Sequence, residues 1–299
     1  MKPARFRYRR AHSIAEALEW LADDDARETK VLAGGQSLVP LLNMRLARPA
    51  ALVDITRIRE LRTITPDDRG GLLLGASVRH SELIASPLVA ERAPLLAEAA
   101  RHIGHRAIRN MGTLGGSLAH ADPAAELSAA IVALGAEIVI AGWGVASRSI
   151  PAEALFVGPF LTSLQSADLL CEVRVPDQRG WAWGFAEVAR RPGDFAIAGV
   201  AAAVRQHGGV CAAARLVAFG VGDGPVRMIW AERMLIGQPI DADIARRVGE
   251  AAAAGLSAPP TDVHASSAYR QHLVAILTEQ VLREANGRAA ENGFAEHDQ

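Results

Sequence analysis

The stretch Val31–Leu46, VLAGGQSLVPLLNMRL, decides how the first half of the chain is read. Three apolar residues run into Gly34 and Gly35, then Gln36 and Ser37, and a mostly apolar helical pattern follows. That order predicts a strand, a tight turn and a helix start. Small consecutive residues let backbone N–H groups converge on one concavity, and such a nest ahead of a helix suits an anion. Thr113–Ser117, TLGGS, has the same character. Neither loop is G-x-G-x-x-G and neither holds a lysine, which phosphoryl transfer normally places there. Two lysine-free nests suit a phosphate that is held rather than one that reacts. A pyrophosphate presents two such groups, so a bound dinucleotide is expected. A pair of ordinary Gly-Gly turns is the alternative that spacing alone leaves open.

Composition narrows the function classes. The 299 residues suffice for two domains, and half are apolar. Thirty-two basic residues against thirty-three acidic ones leave a formal net charge of −1, against a nucleic-acid binder with its basic stripe. Aromatics at 5% offer little platform for stacked bases. Cys171 and Cys211 are the only cysteines. An iron–sulfur cluster and a Cys-rich zinc site each need more thiolates than that, so no metal site is expected. The basic N-terminus is not followed by a signal-peptide apolar core. No run approaches the eighteen or so apolar residues of a membrane span. The expected compartment is the cytoplasm.

Along the chain, ARFRYRRA predicts a short strand, and Ser13 with Glu16 a capping box opening a helix with Ile14, Ala17, Leu18 and Leu21 on one face. The acidic stretch Ala22–Lys30 ends it. AALVDI and GLLLGASV predict strands, Ser77 and Ser81 offer caps for the helix around SELIA, and PLLAEAARHIG reads as a helix stopped by Gly104. Asp122-Pro123 predicts a helix start, with proline in the first turn. AEIVIAG and ADLLCEVRVP are strands. Beyond Pro176–Trp183 the character changes to strands around a loop and then three helices, the last being SSAYRQHLVAILTEQVLREAN. The tail GRAAENGFAEHDQ is expected to fray. A domain boundary falls near residue 178, and no fixed-period repeat is present.

AGGQSLVPLLNMRLARPAALVDI, IGHRAIRNMGTLGGSLAHADPAAEL and FAEVARRPGDFAIAG, in this order, resemble the FAD-binding medium subunits of molybdenum hydroxylases, among them carbon monoxide dehydrogenase and three-subunit relatives of xanthine dehydrogenase. The resemblance runs from about Phe6 to the last long helix. It implies an α+β architecture: a two-subdomain FAD-binding fold of the vanillyl-alcohol oxidase and p-cresol methylhydroxylase type over residues 1–178, a small sheet with helices over 179–287, and a flexible tail at 288–299. It implies non-covalent FAD, because no His-Cys pair presents itself for attachment. It also implies partners: a small [2Fe-2S] subunit and a large molybdopterin subunit, as a dimer of heterotrimers, with an external electron acceptor. Molybdopterin and the clusters would sit on the partners alone.

The resemblance carries roles onto matching positions. Ala33 to Leu38 (Ala33, Gly34, Gly35, Gln36, Ser37, Leu38) would form the first pyrophosphate loop, with Leu32 beside it at the cofactor and Gln36, Ser37 and Leu38 reaching further along it. Thr113 to Ser117 would form the second, with the Thr113 hydroxyl and the Gly115 and Gly116 amides on phosphate oxygens and Ser117 closing the loop. Ile103 would lie near the flavin, aliphatic where xanthine dehydrogenases carry an aromatic. Asp122 would cap the following helix and Glu126 meet a ribose hydroxyl. Leu170 would pack on the adenine or the ring system, and Asp194 and Phe195 approach the isoalloxazine from the second domain. From the residues alone, Glu126 equally answers a helix dipole, Phe195 reads as core, Asp194 as a turn residue and His120 as a polar filler. Arg190-Arg191 is either a solvated pair or a contact for a partner or for flavin charge. No residue presents itself as an acid–base catalyst. That weighs against the alternative functions, a self-contained flavin oxidoreductase acting on a small organic substrate and a non-enzymatic assembly subunit.

Overall fold

The computed structural model describes residues 2–23 and 28–296. The chain opens with β1 (Arg7–Arg10), α1 (Ile14–Ala22), β2 (Thr29–Leu32), α2 (Leu38–Asn43) and β3 (Ala51–Asp54), the strands forming a parallel sheet in the order β1-β3-β2. β3 is buried at all four positions, as the middle strand of a parallel sheet demands. Ser13 Oγ accepts from the Glu16 amide at 3.1 Å, and Glu16 in turn accepts from the His12 amide at 2.7 Å, one residue ahead of the capping position. Ala17, Leu18 and Leu21 are buried on Val53, Ile55, Ile58 and Leu61. The acidic stop after α1 lies partly outside the described residues, at 24–27.

A second sheet is antiparallel, in the order β4 (Ile64–Pro66), β5 (Leu72–Gly75), β10 (Asp168–Val175), β6 (Glu137–Gly142), β7 (Val145–Pro151), with the small hairpin β8 (Phe156–Gly158) and β9 (Leu161–Thr162) beside it. Between β5 and β6 run α3 (His80–Ala85), α4 (Pro87–Arg92), α5 (Pro94–His102), α6 (Arg106–Arg109), α7 (Leu114–His120) and α8 (Glu126–Ala133). Neither Ser77 nor Ser81 caps α3. The capping residue is Arg79, whose amide donates to Glu82 Oε2 at 2.8 Å. α8 is buried at every position, the signature of a helix enclosed on all sides.

The chain then enters a four-stranded antiparallel sheet, β11 (Trp181–Ala189), β12 (Ala196–His207), β13 (Val210–Phe219) and β14 (Val226–Arg227), followed by α9 (Ile229–Leu235), α10 (Ala242–Ala254) and α11 (Ser267–Glu296). One face of this sheet packs on α9–α11 through Ala198, Val200, Leu216 and Val281. The other packs on α5 and α8 through Phe185, Ala201, Val217 and Phe219, in one continuous core with the second sheet. Coverage on both faces explains why the first nine residues of β12 are all buried. A Cβ on Gly184 would stand 2.2 Å from the Val281 carbonyl oxygen, so glycine there is what lets α11 lie down on β11. α11 continues to Glu296, so the tail expected at 288–299 is helical as far as 296. Arg288 explains the extension: its guanidinium lies 3.7 Å from the Trp183 ring and donates to the Trp183 carbonyl at 2.5 Å. Residues 297–299 lie outside the described residues.

Candidate functional site

The two glycine-rich segments meet. A Cβ on Gly34 would come within 2.2 Å of the Met111 carbonyl oxygen and 2.8 Å of Gly112 Cα, and one on Gly116 within 3.8 Å of the Ala33 Cβ. Leu32 ends β2 opposite Asp54, and Gly35, at φ +71°, turns the chain into α2. The Gly35 carbonyl accepts from the Val39 amide at 3.0 Å. The amides of Gly35, Gln36 and Ser37 donate to no partner among the described residues, and Gln36 and Ser37 are exposed. Leu38 is the first residue of α2.

The second segment is a helix start rather than a loop. Thr113 caps α7, its Oγ1 accepting from the Gly116 amide at 3.1 Å. The Leu114 amide donates to the Val78 carbonyl at 2.9 Å and the Gly115 amide to the Ala76 carbonyl at 2.8 Å. The expectation that the Gly115 and Gly116 amides reach phosphate oxygens is therefore corrected: both already have partners in the chain, and Gly115 is buried against Ala76. Only Gly116 and Ser117 of this segment are partly exposed.

Asp122 does not cap α8. Its Oδ1 accepts from the Ala124 amide at 2.9 Å and its carbonyl from the Ala125 amide at 3.0 Å, and the helix begins at Glu126. The Pro123 carbonyl is taken by the Gly220 amide at 2.8 Å, which holds the chain out of the helix there. Leu170 lies in the core, 5% exposed. Its strand, β10, lies between β5 and β6, and its side chain belongs to one core cluster with Ile138, Ile140 and Val173.

A second gathering of residues lies at the seam with the third sheet. Ile103, partly buried, leads into Gly104, and a Cβ on Gly193 would stand 2.7 Å from the Gly104 carbonyl oxygen. The β11–β12 connection therefore leans on the end of α5. It carries Asp194, exposed, and Phe195, 73% exposed, so Phe195 is no core residue. A cavity of about 440 Å³ opens here, walled by His102, His105, Arg106, Arg109, Glu187 and Gly193 among others. Below it, His102 Nδ1 lies 3.3 Å from Glu187 Oε1, and burial encloses Glu126 close by. Burial, more than the neighbouring Glu187 and Asp122, pushes the Glu126 carboxyl up to about 8. Glu187 raises His102 above its usual range. His120 is only half-buried, tilted against the Phe160 ring with centroids 5.1 Å apart, and burial lowers it. A larger cavity of about 530 Å³ lies under the Asp177–Trp183 connection and involves neither glycine segment. Among the described residues no group of His, Cys, Asp and Glu could hold a metal ion.

Two family models cover this arrangement: an FAD binding domain in molybdopterin dehydrogenase over residues 4–178, and a CO dehydrogenase flavoprotein C-terminal domain over residues 183–285. The chain belongs to the FAD-binding medium subunits of the molybdenum hydroxylases. It is 42% identical to the 6-hydroxypseudooxynicotine dehydrogenase complex subunit alpha of Paenarthrobacter nicotinovorans, over 97% of both chains. It is 33% identical to the carbon monoxide dehydrogenase medium chain of Hydrogenophaga pseudoflava, over 97% of this chain and all of that one. The quinoline 2-oxidoreductase structure from Pseudomonas putida 86 superposes with a TM-score of 0.91 at 38% identity, covering 97% of this chain and 99% of that one.

In this medium subunit three residues escaped the reading of the sequence. Glu187 and His102 sat inside quoted motifs, but nothing in their spacing showed that a strand end and a helix end would meet. Asp54 is the third. It is nearly buried at the end of β3, bonded to Tyr8, to Arg10 Nε at 3.0 Å and to Thr56 Oγ1 at 2.6 Å, and it fixes the strand ends behind the first glycine segment. Despite burial, which raises it, these bonds hold the Asp54 carboxyl below its usual range. The signal was a carboxylate closing the apolar run ALVD. No described helix is long and apolar enough to cross a membrane.

Proposed function

We propose that this oxidoreductase subunit holds FAD non-covalently, accepts electrons from [2Fe-2S] clusters on a small partner subunit, and passes them to an external acceptor. Substrate oxidation would occur at molybdopterin on a large partner, in a cytoplasmic dimer of heterotrimers. The observation that carries the reading is the closure of Ala33–Ser37 on Met111–Ser117, with three amides unpaired on the exposed side. A side chain at Gly34 would meet the Met111 carbonyl and Gly112, so glycine there is what lets the two segments close beside the unpaired amides. Gly35, Gln36 and Ser37 would hold one phosphate by their amides, as fixed dipoles aimed at negative charge. Gly116, Ser117 and the Thr113 hydroxyl would flank the second. Residues 1–178 would bind the cofactor, while 179–287 bring Asp194 and Phe195 to its other end, opposite Ile103. Glu126 would meet a ribose hydroxyl. FAD supplies the conversion between one-electron delivery and two-electron release. The chain's own residues orient it, exclude water and leave one face open.

The test is the chromophore. The chain is purified alone, denatured, and the released compound identified by chromatography. FAD at about one per chain is the expected outcome by the family's one-cofactor logic. A colourless chain that fails to take up FAD, alone or with its partners, would sink the reading.

A further inference from the structure

Glu187 is a buried carboxylate, 6% exposed at its side chain, with Oε2 unpartnered among the described residues. A charged group in that position is costly unless something shares its charge. His102 is what stands next to it. Its ring touches two carboxylates at once: Nδ1 lies 3.3 Å from Glu187 Oε1 and Nε2 lies 3.6 Å from Glu98 Oε1. Glu98 and His102 are each about one-third exposed, at 31% and 32%, and His102 also lines the open cavity. The series Glu98, His102, Glu187 thus runs from solvent into the interior and crosses from α5 to β11. Glu126, on α8, closes the inner end.

We propose that His102 is a proton relay, carrying protons between solvent at Glu98 and the cavity and the buried carboxylate of Glu187, and so serving proton exchange at the flavin site. The inference rests on the function proposed above, which places Glu126 on FAD. Two-electron reduction of a flavin takes up at least one proton, and His102 and Glu187 are among the titratable groups that wall the cavity at the seam. Glu187 would give up its proton towards the flavin site, Nδ1 release its proton to Glu187 and solvent protonate Nε2. The carboxylate and the imidazole thus end with the proton counts they began with, and the proton ends on the reduced flavin. The electrons come separately, from the partner's reduced cluster. The groups facing His102 are Glu98 on its own helix, Glu187 and the Phe185 ring on β11, the latter at 4.9 Å, and Glu126 on α8. Arg101, Arg106 and Arg109 line the same cavity. Glu187 first, and Glu98 with it, favour the charged form of the imidazole, so it can accept a proton near neutral pH.

The experiment follows bleaching of the flavin band by dithionite, which supplies the two electrons, in the FAD-loaded full chain by stopped flow, across pH, in light and heavy water. His102→Ala is expected to slow the proton-linked phase by about tenfold or more, and added imidazole, which the cavity admits, to restore it. A purely structural histidine would not be replaced by free imidazole. Unchanged rates and isotope effect in His102→Ala, or slowing that imidazole does not relieve, overturn the relay while leaving FAD binding intact. If wild type binds no FAD, alone or with its partners, the proposed function falls instead. Should only His102→Ala lose the cofactor, the flavin-free protein decides. NMR titration of His102 is expected to move to lower pH in Glu187→Gln, and an unmoved titration overturns the relay.

Discussion

Gly34 and Met111 touch backbone to backbone: a methyl group on Gly34 would stand 2.2 Å from the Met111 carbonyl oxygen. The contact is the point where the parallel sheet and the helical layer close on one another. Gly34→Ala therefore has to push the segments apart. The expected cost is about 1–3 kcal/mol of stability, the range for overpacking. FAD affinity is expected to fall by at least about tenfold, since 1.4 kcal/mol of lost preorganisation corresponds to that factor. Urea denaturation and fluorescence titration with FAD measure the two. Unchanged affinity would show that the junction is structural only.

Gly116 presents a different obstacle. A Cβ there would lie 2.7 Å from Thr113 Oγ1, the atom that caps α7. Gly116→Val drives the hydroxyl out of its capping position at a cost of about 1 kcal/mol and places a branched side chain beside Ala33. Thr113→Val removes the same cap without adding bulk at the cradle. The expected outcome is that both variants melt lower by a similar amount, that Thr113→Val, which also removes the hydroxyl placed beside the second phosphate, weakens FAD binding by about tenfold, and that Gly116→Val abolishes it. Full flavin occupancy in Gly116→Val would contradict the placement of the second phosphate.

The local rules found the elements but not how the elements meet. The Gly34-Gly35 turn, the Ser13 cap and the alternation of β6 and β10 are legible because each depends on a few neighbouring residues. Thr113–Ser117 looked like a loop because Gly-Gly disfavours helix. It is helical because the Val78 and Ala76 carbonyls, just beyond β5, accept its Leu114 and Gly115 amides. Asp122 looked like a cap, but Gly220, from the far end of the chain, takes the Pro123 carbonyl. Leu170 is apolar whether it meets a ring or a core, and its burial in the core cluster depends on elements far from it in sequence. His102 and Glu187 pair across two units, which no single periodicity encodes.

Arg270 anchors the end of the third sheet. It is 4% exposed and donates to the Gly220 carbonyl at 2.8 Å, to the Ile197 carbonyl and to Asp262 Oδ2 at 2.7 Å. Ile197 follows Phe195 closely, so this guanidinium fixes the base of the segment that leans on Gly104. Arg270→Met would leave buried carbonyls unpaired. The expected loss is about 3 kcal/mol, with faster amide exchange at Ala198 and Gly199. Arg270→Lys, a point charge with fewer fixed donors, should recover part of the stability. Equal melting of Arg270→Met and wild type would refute the anchoring role.

Glu126 predicts the pH dependence of stability. Burial, first, together with Glu187 and Asp122, raises its carboxyl from 4.5 to about 8, against the opposing effects of its own amide and of His102. Between those values the folded chain holds a proton that the unfolded chain has released. Stability from this group is fully present below about pH 4.5 and falls as pH rises towards 8, where the folded form ionises as well. Glu126→Gln cannot ionise, so it should match wild type near pH 5 and exceed it at pH 9 by a few kcal/mol. His102, raised chiefly by Glu187, has the same sign: its contribution is present below its unfolded value of 6.5 and is lost as pH climbs through its folded one. A slope that survives in Glu126→Gln above pH 6.5 therefore belongs to His102, and Glu126→Gln combined with His102→Gln should remove it. Denaturant titrations of the flavin-free chain at pH 5, 7 and 9 separate the two. Parallel curves for wild type and Glu126→Gln across that range would mean that Glu126 is ionised in the folded protein, held by a partner that outweighs its burial.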